Sequence, residues 1–525
     1  MAAASAVRSQ QEKAKDRPLL RGPHNTTYAT VLAGVTFSME TFYRTTRTQG
    51  LNNLPKYRGC IVAANHWNMA IDIGALMQTC PRKVHFWTKA ELFHGPTLIR
   101  KFMNAMGCLP VKRNSRSGKK ESNDDLFQHT INTLSKGGVI AIFPEGTSHH
   151  SPHLTELKDG ASWAALQNAA ATADPEDYAP LVPVGITYEP LKYTWRHRVN
   201  VRYGTPVEVG PFLAEFEVDQ RSAVKKLTQA LEAALREVTI NAPDWETLNA
   251  ARQLQSVVLG HTACADDLET ISIILELIED KTTAFTSVVQ QVGDYHVSLQ
   301  GMGLKDKDLE IGNVPTITSL ASHFVVHMFF AIVSLLYVIP SFLISAPAFF
   351  TLALLRHKEV FPESKAQKQI FSGYVIIPLC LTIVHFVLSR VIGFTTPLAK
   401  LWFFLILVLL SMVFPRAEDY RRQTFDMFGT STRLLFARIM CGRGALHDVL
   451  RQRDHVREHL QSHIDPIKWQ RRTRAMDGKK HQHAVPLAPH AVAAAPAPLP
   501  NGIPDPHGGD KLKKRIVTTG SEQPK

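Results

Sequence analysis

Cysteine is scarce in this sequence, and no two cysteines have the spacing of a metal or redox site. The six cysteines are scattered over 525 residues: Cys60, Cys80, Cys108, Cys264, Cys380 and Cys441. None forms a C-x-x-C pair, which argues against a zinc cage and against a disulfide scaffold. His149, His150 and His153 are irregularly spaced and have no acidic or cysteine ligand set beside them, so we expect no metal there.

A hydrophobic leader is also missing, and no internal repeat is present. The first 22 residues, MAAASAVRSQQEKAKDRPLLRG, are polar and basic. Because they contain no apolar segment, they do not have the pattern of a cleavable signal peptide. We expect this end to stay in the cytosol, so that the sequon at Asn25 carries no glycan.

Acidic residues are fewer than basic ones. The chain has 46 Asp and Glu against 59 Lys and Arg, which gives a formal net charge of +13. Such an excess favours a polyanionic partner: nucleic acid, an anionic membrane or a phosphorylated small molecule. With 45% hydrophobic and 20% charged residues, the composition is that of a folded protein, and the length suits two to four domains.

Short apolar runs alternate with helical patterns between residues 57 and 210. The strand candidates are CIVAAN, KVHFWT, GCLPV, GVIAIFPEG, LVPVGITY and VNVRYGTPV. Helical patterns such as IDIGALMQT and DDLFQHTINTLSKG separate most of them. This alternation predicts an α/β domain with a mostly parallel sheet flanked by helices, whose loops carry the chemistry.

Three long apolar runs follow, at residues 324–355, 373–389 and 401–414. The first exceeds the roughly 20 residues that a spanning helix needs, and Pro340 and Pro347 allow either one kinked helix or a tight hairpin. The third is short enough to be a buried helix of a soluble domain, but three clustered runs favour membrane anchoring. The arginine-rich stretch after them indicates the cytosolic side.

The sequence therefore divides into seven segments. A polar basic N-terminus precedes an apolar segment that suits an interfacial membrane helix. An α/β domain, a helical subdomain, C-terminal transmembrane helices, a basic juxtamembrane helical region and a disordered Pro/Ala-rich tail follow. The expected boundaries are residues 1–27, 28–47, 48–213, 214–312, 318–415, 416–480 and 481–525.

A histidine and an aspartate stand close together in VAANHWNMAIDIGA, at His66 and Asp72. On one helix, six positions would place their side chains about 120° apart. They can meet only if His66 lies in a turn before a helix that contains Asp72, with Asn68 as its cap. Asp72 would then fix the tautomer of His66, whose second nitrogen could deprotonate a substrate hydroxyl. Taken alone, such a pair is more often a strand-end histidine and a capping aspartate.

Two further blocks place polar residues after strands. GCLPVKRNSRSGKK has Lys112 and Arg113 there, where an arginine fork suits a phosphate, although a solvated basic loop has the same pattern. IAIFPEGTSHHSPHL has Glu145 and Gly146 at another strand end. The carboxylate can bind a hydroxyl or position a basic group, and the glycine lets backbone N–H groups approach an anion. A fourth block, LVPVGITYEP, is equally typical of plain core.

In this order the blocks resemble the motifs of the glycerolipid acyltransferase superfamily. Its members carry a His–Asp block, a G-x-[IL]-P-V-x-R block, an F-P-E-G-x-S block and a V-P-V/C-G block, matched here by NHWNMAID, GCLPVKR, FPEGTSH and VPVGITY. Five residues rather than the usual four separate His66 from Asp72. That spacing is similar to the spacing in the fungal-type glycerol-3-phosphate/dihydroxyacetone-phosphate acyltransferases. Two flanking segments are also similar to those enzymes: METFYRTTRTQGLNNLP before the first block and REVTINAPDWETLNAARQL after the fourth. The resemblance covers residues 28–415.

The resemblance implies roles for the matched residues. His66 would be the general base and Asp72 its partner. Arg113 would hold the phosphate of the acceptor, and Pro183 would lie near the acyl chain. Lys89 lies in TKAELF, which resembles a lysine block of lysophosphatidate acyltransferases. The third block would shape the acceptor site. The implied substrate-binding residues are Lys89, Lys112, Arg113, Glu145, Gly146, Ser148 and Pro183.

The resemblance also implies an activity. The enzyme would transfer an acyl chain from acyl-CoA to the sn-1 hydroxyl of glycerol 3-phosphate, with dihydroxyacetone phosphate as a further acceptor, and supply 1-acyl lysophosphatidate for phospholipid and triacylglycerol synthesis. Its partners would be these substrates and membrane lipids. No nucleic acid, cofactor or metal is expected. The expected location is the endoplasmic reticulum membrane, multi-pass, with the active site facing the cytosol.

Two alternatives stay open. The first is an acyltransferase that accepts lysophosphatidate or another lysophospholipid, since Asn65-His66 is more typical of lysophosphatidate acyltransferases. The second is a non-enzymatic membrane scaffold. Loss of His66 or Asp72 would have favoured the scaffold, and both residues are present.

Overall fold

The computed structural model of the chain describes residues 26–112, 123–189, 195–260, 267–280, 283–310 and 314–483. The chain falls into two units, Met1–Gln470 and Arg471–Lys525. The sheet, the candidate site and the long apolar helices all belong to the first unit.

One mixed sheet organises the N-terminal half. Its strands are β1 Thr45–Gln49, β2 Cys60–Ala64, β3 Val84–Lys89, β4 Leu109–Val111, β5 Val139–Ile142, β6 Leu181–Glu189 and β7 Arg198–Tyr203. Their order is β1-β7-β6-β2-β5-β3-β4. All neighbouring pairs are parallel except β6 and β7, which are antiparallel. The predicted mostly parallel sheet is therefore confirmed.

Helices flank the sheet and dominate the C-terminal half. They are α1 Thr26–Phe42, α2 Ala70–Thr79, α3 Thr97–Ala105, α4 Asp124–Ser135, α5 Gly160–Ala170, α6 Leu213–Val218, α7 Gln220–Val238, α8 Trp245–Leu259, α9 Leu268–Asp280, α10 Thr283–Gly301, α11 Ile317–Lys358, α12 Lys365–Ile392, α13 Pro397–Met440 and α14 Gly442–His483. Short 3-10 turns lie at Leu51–Asn53, Ala90–His94, Pro175–Asp177, Gly210–Phe212 and Asp306–Leu309.

The central strands are apolar along their whole length because both sheet faces are covered. On one face, Val62 of β2 shares a core with Met39 of α1 and Ile71 of α2. On the other face, Ile140 of β5 shares a core with Leu231 of α7. The two layers of helices fix the central strands, and with them the turns at the strand ends.

The N-terminal boundary of the α/β domain differs from the prediction of an interfacial helix over residues 28–47. Helix α1 ends at Phe42, and Thr45–Gln49 form β1 at the sheet edge, in parallel with β7. Tyr28 and Met39 are buried, so α1 packs on the domain as well as carrying apolar surface. The β-branched TTRTQ segment suits a strand better than the end of a helix.

The helix after residue 213 packs on the sheet. Helix α7 is amphipathic, and Leu227, Leu231 and Leu235 on its apolar side are buried in the core of the sheet. Residues 214–238 therefore belong to the α/β domain. The separate helical core begins at Ile240 and includes residues from α8 to α10. That core also takes in Leu434 and Leu446, so part of the segment predicted as juxtamembrane packs on the helical subdomain.

Within the described residues, four helical stretches are long and apolar enough to cross a membrane. They are Ile317–Leu336, Val338–Lys358, Lys365–Ile392 and Pro397–Met440. The first two belong to one continuous helix, α11, which contains both Pro340 and Pro347. Of the two predicted alternatives, the structure therefore has a single helix and not a hairpin. At 42 residues, it is about 63 Å long, roughly twice the thickness of a hydrocarbon core.

A buried arginine joins α13 to the α/β domain. Arg196 is 7% exposed, and its guanidinium donates to the carbonyl oxygens of Glu40, Thr41 and Tyr43 at 2.6, 3.2 and 3.2 Å. Its Nε lies 3.1 Å from both carboxylate oxygens of Asp419. One side chain thus ties the end of α1 to the middle of α13.

Replacing Arg196 by Gln should strongly lower the thermal unfolding temperature, because Asp419 and three carbonyl groups lose their donor. Breaking a buried pair costs about 3–5 kcal/mol. Arg451→Gln is the matched control, since Arg451 and Asp448 are 70% and 60% exposed and such pairs contribute about 0–1 kcal/mol. Calorimetry in detergent compares the two variants; equal shifts would contradict the anchoring role.

Candidate active site

The polar blocks found in the sequence meet at one edge of the sheet. Because β2, β5, β3 and β4 are neighbours and run parallel, their carboxyl ends lie side by side. His66 follows β2, Glu145 follows β5, Lys89 ends β3 and Lys112 follows β4. This is the edge at which ligands bind in open α/β sheets.

His66 and Asp72 form the contact that their spacing predicted. The Nδ1 atom of His66 lies 2.9 Å from Oδ2 of Asp72. His66 occupies the turn after β2, and Asp72 lies in the first turn of α2. The histidine ring stacks on Phe143, with 4.1 Å between ring centroids. Its side chain is 17% exposed, and Nε2 makes no hydrogen bond to any described residue.

Asp72 is fully buried and takes hydrogen bonds from three directions. Besides His66, the backbone N–H of Asn68 donates to Oδ2 at 2.7 Å, and the hydroxyl of Tyr188 donates to Oδ1 at 2.5 Å. Burial and the charge of Asp72 raise the pKa of Tyr188 well above its ordinary value. Tyr188 therefore remains a neutral donor, and the carboxylate is held in one orientation toward the imidazole.

The turn that carries His66 is fixed by its neighbours. The side chain of Asn65 bonds to both backbone groups of Ile186, accepting from N–H at 2.7 Å and donating to C=O at 3.0 Å. Before α2, Met69 has a φ of 45°, a value that costs energy for a residue with a side chain. The backbone N–H of Ala70 then donates to Oε1 of Gln367 on α12 at 3.1 Å.

This strained residue lies between His66 and Asp72, in the turn before α2. Helix α2 begins at Ala70, one residue after it. Asn68, predicted as the cap of that helix, instead donates its side-chain amide to the hydroxyl of Tyr43 at 3.0 Å. Its backbone N–H, not its side chain, binds Asp72.

Glu145 supports the histidine turn. Its Oε1 accepts from the backbone N–H of His66 at 2.7 Å. Its Oε2 accepts from the N–H and hydroxyl of Thr155 at 2.9 and 2.7 Å and from His149. Burial alone would raise the pKa of Glu145, but the bonds from His149 and Thr155 outweigh it and lower that pKa. The sequence predicted that Glu145 either binds a substrate hydroxyl or positions a basic group. The geometry matches the second role, because both carboxylate oxygens accept hydrogen bonds from the protein itself.

His149 is engaged on both ring nitrogens. Ser151 donates its backbone N–H to Nδ1 at 3.1 Å, so the proton resides on Nε2, which faces Glu145. Within the described ranges, no group of three or more His, Cys, Asp or Glu side chains is arranged to hold a metal ion.

The turn after Glu145 lies beside the ammonium group of Lys158. Gly146 has a φ of 74°, and a Cβ atom there would lie 2.5 Å from Nζ of Lys158. Only glycine fits this left-handed position without displacing the lysine. Ser148 is half-buried, and its hydroxyl has no partner among the described residues. Lys158 was not among the predicted site residues.

The other predicted residues have more varied positions. Lys89 and Lys112 are exposed at the same edge as His66, and Asn123 bonds to both backbone groups of Lys112 at 3.0 Å. Arg113 lies outside the described residues. Pro183 lies inside β6, paired with Ala63, rather than at the edge.

Residues 45–187 match the Acyltransferase family. This segment has the sequence pattern of an acyltransferase domain. The domain holds His66, Asp72, Glu145 and the two exposed lysines, whereas Tyr188 lies one residue beyond the match. The match thus extends over the four blocks whose order suggested the superfamily, except for the last residue of the fourth block.

Several proteins are similar to the acyltransferase domain. Glycerol-3-phosphate O-acyltransferase 2 of Saccharomyces cerevisiae is 32% identical over 200 residues, which cover 37% of this chain and 26% of that protein. The chloroplastic 1-acyl-sn-glycerol-3-phosphate acyltransferase BAT2 of Brassica napus is 30% identical over 148 residues, or 28% of this chain and 38% of that protein. The chain thus spans well under half the length of these relatives.

A solved structure is also similar. The 1-acyl-sn-glycerophosphate (LPA) acyltransferase PlsC of Thermotoga maritima is 19% identical, with a TM-score of 0.30, and the match covers 42% of this chain and 84% of that chain.

Tyr188→Phe should lower kcat of acyl transfer roughly 10- to 100-fold, because a hydrogen bond to a charged group is worth about 1.5–3 kcal/mol. The KM values should change little. Tyr203→Phe is the matched control, a buried tyrosine of the neighbouring strand whose hydroxyl lies 3.0 Å from Thr79. Steady-state kinetics decides; an unchanged kcat for Tyr188→Phe would show that Asp72 needs no support from β6.

Proposed function

We propose that this acyltransferase moves an acyl chain from acyl-CoA to the sn-1 hydroxyl of glycerol 3-phosphate. The observation that carries the proposal is the His66–Asp72 pair, in which Nδ1 is bound at 2.9 Å and Nε2 is left for a substrate. The similarity to yeast glycerol-3-phosphate O-acyltransferases supports the acceptor. The product would be 1-acyl lysophosphatidate, a precursor of phospholipids and triacylglycerol.

The reaction can be followed atom by atom. Nε2 of His66 takes the proton of the acceptor hydroxyl as its oxygen attacks the thioester carbonyl, and Asp72 stabilises the imidazolium that forms. The tetrahedral intermediate collapses by breaking the carbon–sulfur bond. The imidazolium returns its proton to the leaving thiolate, which departs as CoA. The scheme uses acyl-CoA as a substrate and calls for no cofactor.

Basic side chains at the site edge suit a phosphorylated acceptor. Lys89 and Lys112 are exposed at the carboxyl edge, and Arg113 follows Lys112 directly in the sequence. An arginine fork can bind two phosphate oxygens at once. We assign the acceptor phosphate to this group, with Lys158 beside Gly146 as an added cation.

One observation favours a second acceptor. The chain is 30% identical over 148 residues to a 1-acyl-sn-glycerol-3-phosphate acyltransferase, and it shares the Asn-His pair typical of those enzymes. Lysophosphatidate offers the same phosphate but an sn-2 hydroxyl and an acyl chain. Dihydroxyacetone phosphate, the other acceptor of the fungal-type enzymes, has neither. A direct comparison of the three acceptors separates these functions.

His66→Ala should abolish measurable transfer while the protein still folds and inserts into membranes. Loss of a general base costs roughly 10²–10⁴ in rate. Asp72→Asn should be severely impaired as well, because an amide cannot hold the same tautomer of His66. Transfer of labelled oleoyl-CoA by purified variants measures this. Turnover at the wild-type rate by His66→Ala would remove the mechanism.

We place the enzyme in the endoplasmic reticulum membrane with His66 toward the cytosol, where acyl-CoA is made available. Helix α11 begins and ends against the catalytic unit. Leu320 near its start lies in the helical subdomain core, and Arg356 near its end lines a cavity shared with Thr41 of α1. Helix α12 leaves from beside Ala70, and α13 returns to Arg196. These two helices would supply an even number of crossings.

An even number predicts that both chain ends face the cytosol. Tags at residue 5 and at residue 520 should both be cleaved by protease in sealed microsomes without detergent, and Asn25 should carry no glycan. A luminal marker that stays intact is the control for sealing. Protection of the C-terminal tag alone would mean an odd number of crossings and would contradict this topology.

A further inference from the structure

Two cavities adjoin beside Trp195. One, of about 490 Å³, is lined mainly by charged and polar residues of β6, β7, α8 and α13, together with Arg44 before β1; we call it the polar cavity. The other, of about 350 Å³, is mainly apolar and lies among α1, α11, α12 and α13. Both volumes fall in the range of ligand sites in proteins. Neither is lined by His66 or Asp72 among the described residues.

The polar cavity lies where one face of the sheet, apolar over the central strands, carries charged side chains near the sheet edge. In β7, Val199, Val201 and Tyr203 are buried in the core beside α2. The alternate residues Arg198 and Arg202 point to the opposite face, where they line the cavity. The helices that cover this face over the central strands are replaced here by a space with charged walls.

Arginines outnumber acids in this cavity. The lining arginines are Arg44, Arg196, Arg198, Arg202, Arg252 and Arg422, against Glu189, Asp267, Asp419 and Asp426. All four acids interact with basic groups: Asp419 with Arg196, Asp426 with Lys307, Asp267 with Lys468 and Glu189 with Arg252. The guanidinium groups of Arg44 and Arg198 have no partner among the described residues. Two free arginine forks favour a phosphate.

The apolar cavity has the features of a chain-binding site. Ile344, Ala348, Phe349, Leu352 and Leu381 form much of its wall. Its rim reaches the surface at Phe37 and Tyr374, which are 50% and 53% exposed, on the side of the apolar helices. A lipid chain could therefore enter from the bilayer.

Two buried polar atoms at this wall also lack partners. Ser345 Oγ and Gln369 Oε1 make no hydrogen bond to any described residue, although both residues line the apolar cavity. An unpaired buried polar atom is costly, so a ligand with an ester carbonyl and a hydroxyl near its chain suits the space better than a pure hydrocarbon. The carbonyl can accept from Ser345, and the hydroxyl can donate to Gln369.

Trp195 forms the boundary between the cavities. Its ring stacks on Phe414 with 5.6 Å between centroids, and the guanidinium of Arg422 lies 5.6 Å from the ring centroid. Trp195 and Phe414 line the apolar cavity, whereas Arg196, the next residue, and Arg422, about two turns further along α13, line the polar one. A charged and an apolar compartment therefore meet within the width of one side chain.

We infer that the two cavities bind one single-chain anionic glycerophospholipid, with its phosphate beside Arg44 and Arg198 and its acyl chain in the apolar cavity. A phosphate and an acyl chain joined through glycerol match compartments that adjoin. In acyl-CoA the phosphates and the chain are separated by the long pantetheine arm, which fits this arrangement poorly. The choice of ligand rests on the proposed function, since the proposed product belongs to this class.

The site is distinct from the reacting one. The dyad lies after β2, whereas the polar cavity begins at the neighbouring strand β6, where Thr187 and Glu189 line it and Tyr188, on the other face of the sheet, binds Asp72. A lipid held there would leave the histidine accessible. The site would thus hold product on its way into the bilayer.

Binding of labelled 1-oleoyl-glycerol 3-phosphate to the full chain in detergent, without any acyl donor, tests the inference. Arg44→Gln/Arg198→Gln should weaken binding at least 10-fold, and so should Ala348→Phe, which fills the apolar cavity. Arg390→Gln and Leu354→Phe, whose native residues are exposed on α12 and α11 outside both cavities, should bind as the wild type does. Thermal unfolding of each variant checks that it is folded.

Ligand comparisons give results that do not depend on the variants. The 1-hexanoyl analogue should bind at least 10-fold more weakly, because each buried methylene contributes about 0.8 kcal/mol, and inorganic phosphate should compete only weakly. Unchanged binding in both cavity variants would overturn the inference. So would tighter binding of oleoyl-CoA that falls in the same variants, which would assign the cavities to the donor. Because no transfer occurs in this assay, failure of the proposed reaction shows separately, as absent turnover.

Discussion

A buried carboxylate sets the main constraint on this structure. Asp72 has no exposed surface, and a charge removed from water must be compensated by hydrogen bonds. Two donors come from the turn between β2 and α2, and the third comes from the end of β6. The strand order places β6 directly beside β2, so the fold brings Tyr188 to a residue more than a hundred positions earlier in the chain.

The membrane-associated helices take part in the same arrangement. Gln367, in the first turn of α12, accepts the backbone N–H of Ala70 at 3.1 Å, at the point where the strained Met69 leads into α2. Arg196 binds Asp419 of α13. The site geometry therefore depends on helices that are long and apolar enough to cross a bilayer, and anchoring of these helices in a membrane would affect the orientation of His66.

Much of this could be predicted from the sequence. Continuous apolar strands and helical periodicity predicted six of the strands, and the six-residue spacing predicted that His66 lies in a turn before the helix of Asp72. Strand β1 was missed because TTRTQ is short, polar and follows an apolar helix. Tyr188 was missed because a tyrosine after an apolar run is typical of core, and only the strand order shows that it faces Asp72. The sequence signals at Glu145 left open whether its oxygens turn outward to a ligand or inward to His66.

The central claim is that this site transfers an acyl chain to glycerol 3-phosphate. Purified protein incubated with labelled oleoyl-CoA and, separately, glycerol 3-phosphate, dihydroxyacetone phosphate or lysophosphatidate tests it most directly. The account predicts labelled 1-acyl lysophosphatidate as the main product, with kcat/KM for glycerol 3-phosphate above that for lysophosphatidate. Transfer to lysophosphatidate alone, or to none of the three acceptors, would contradict it.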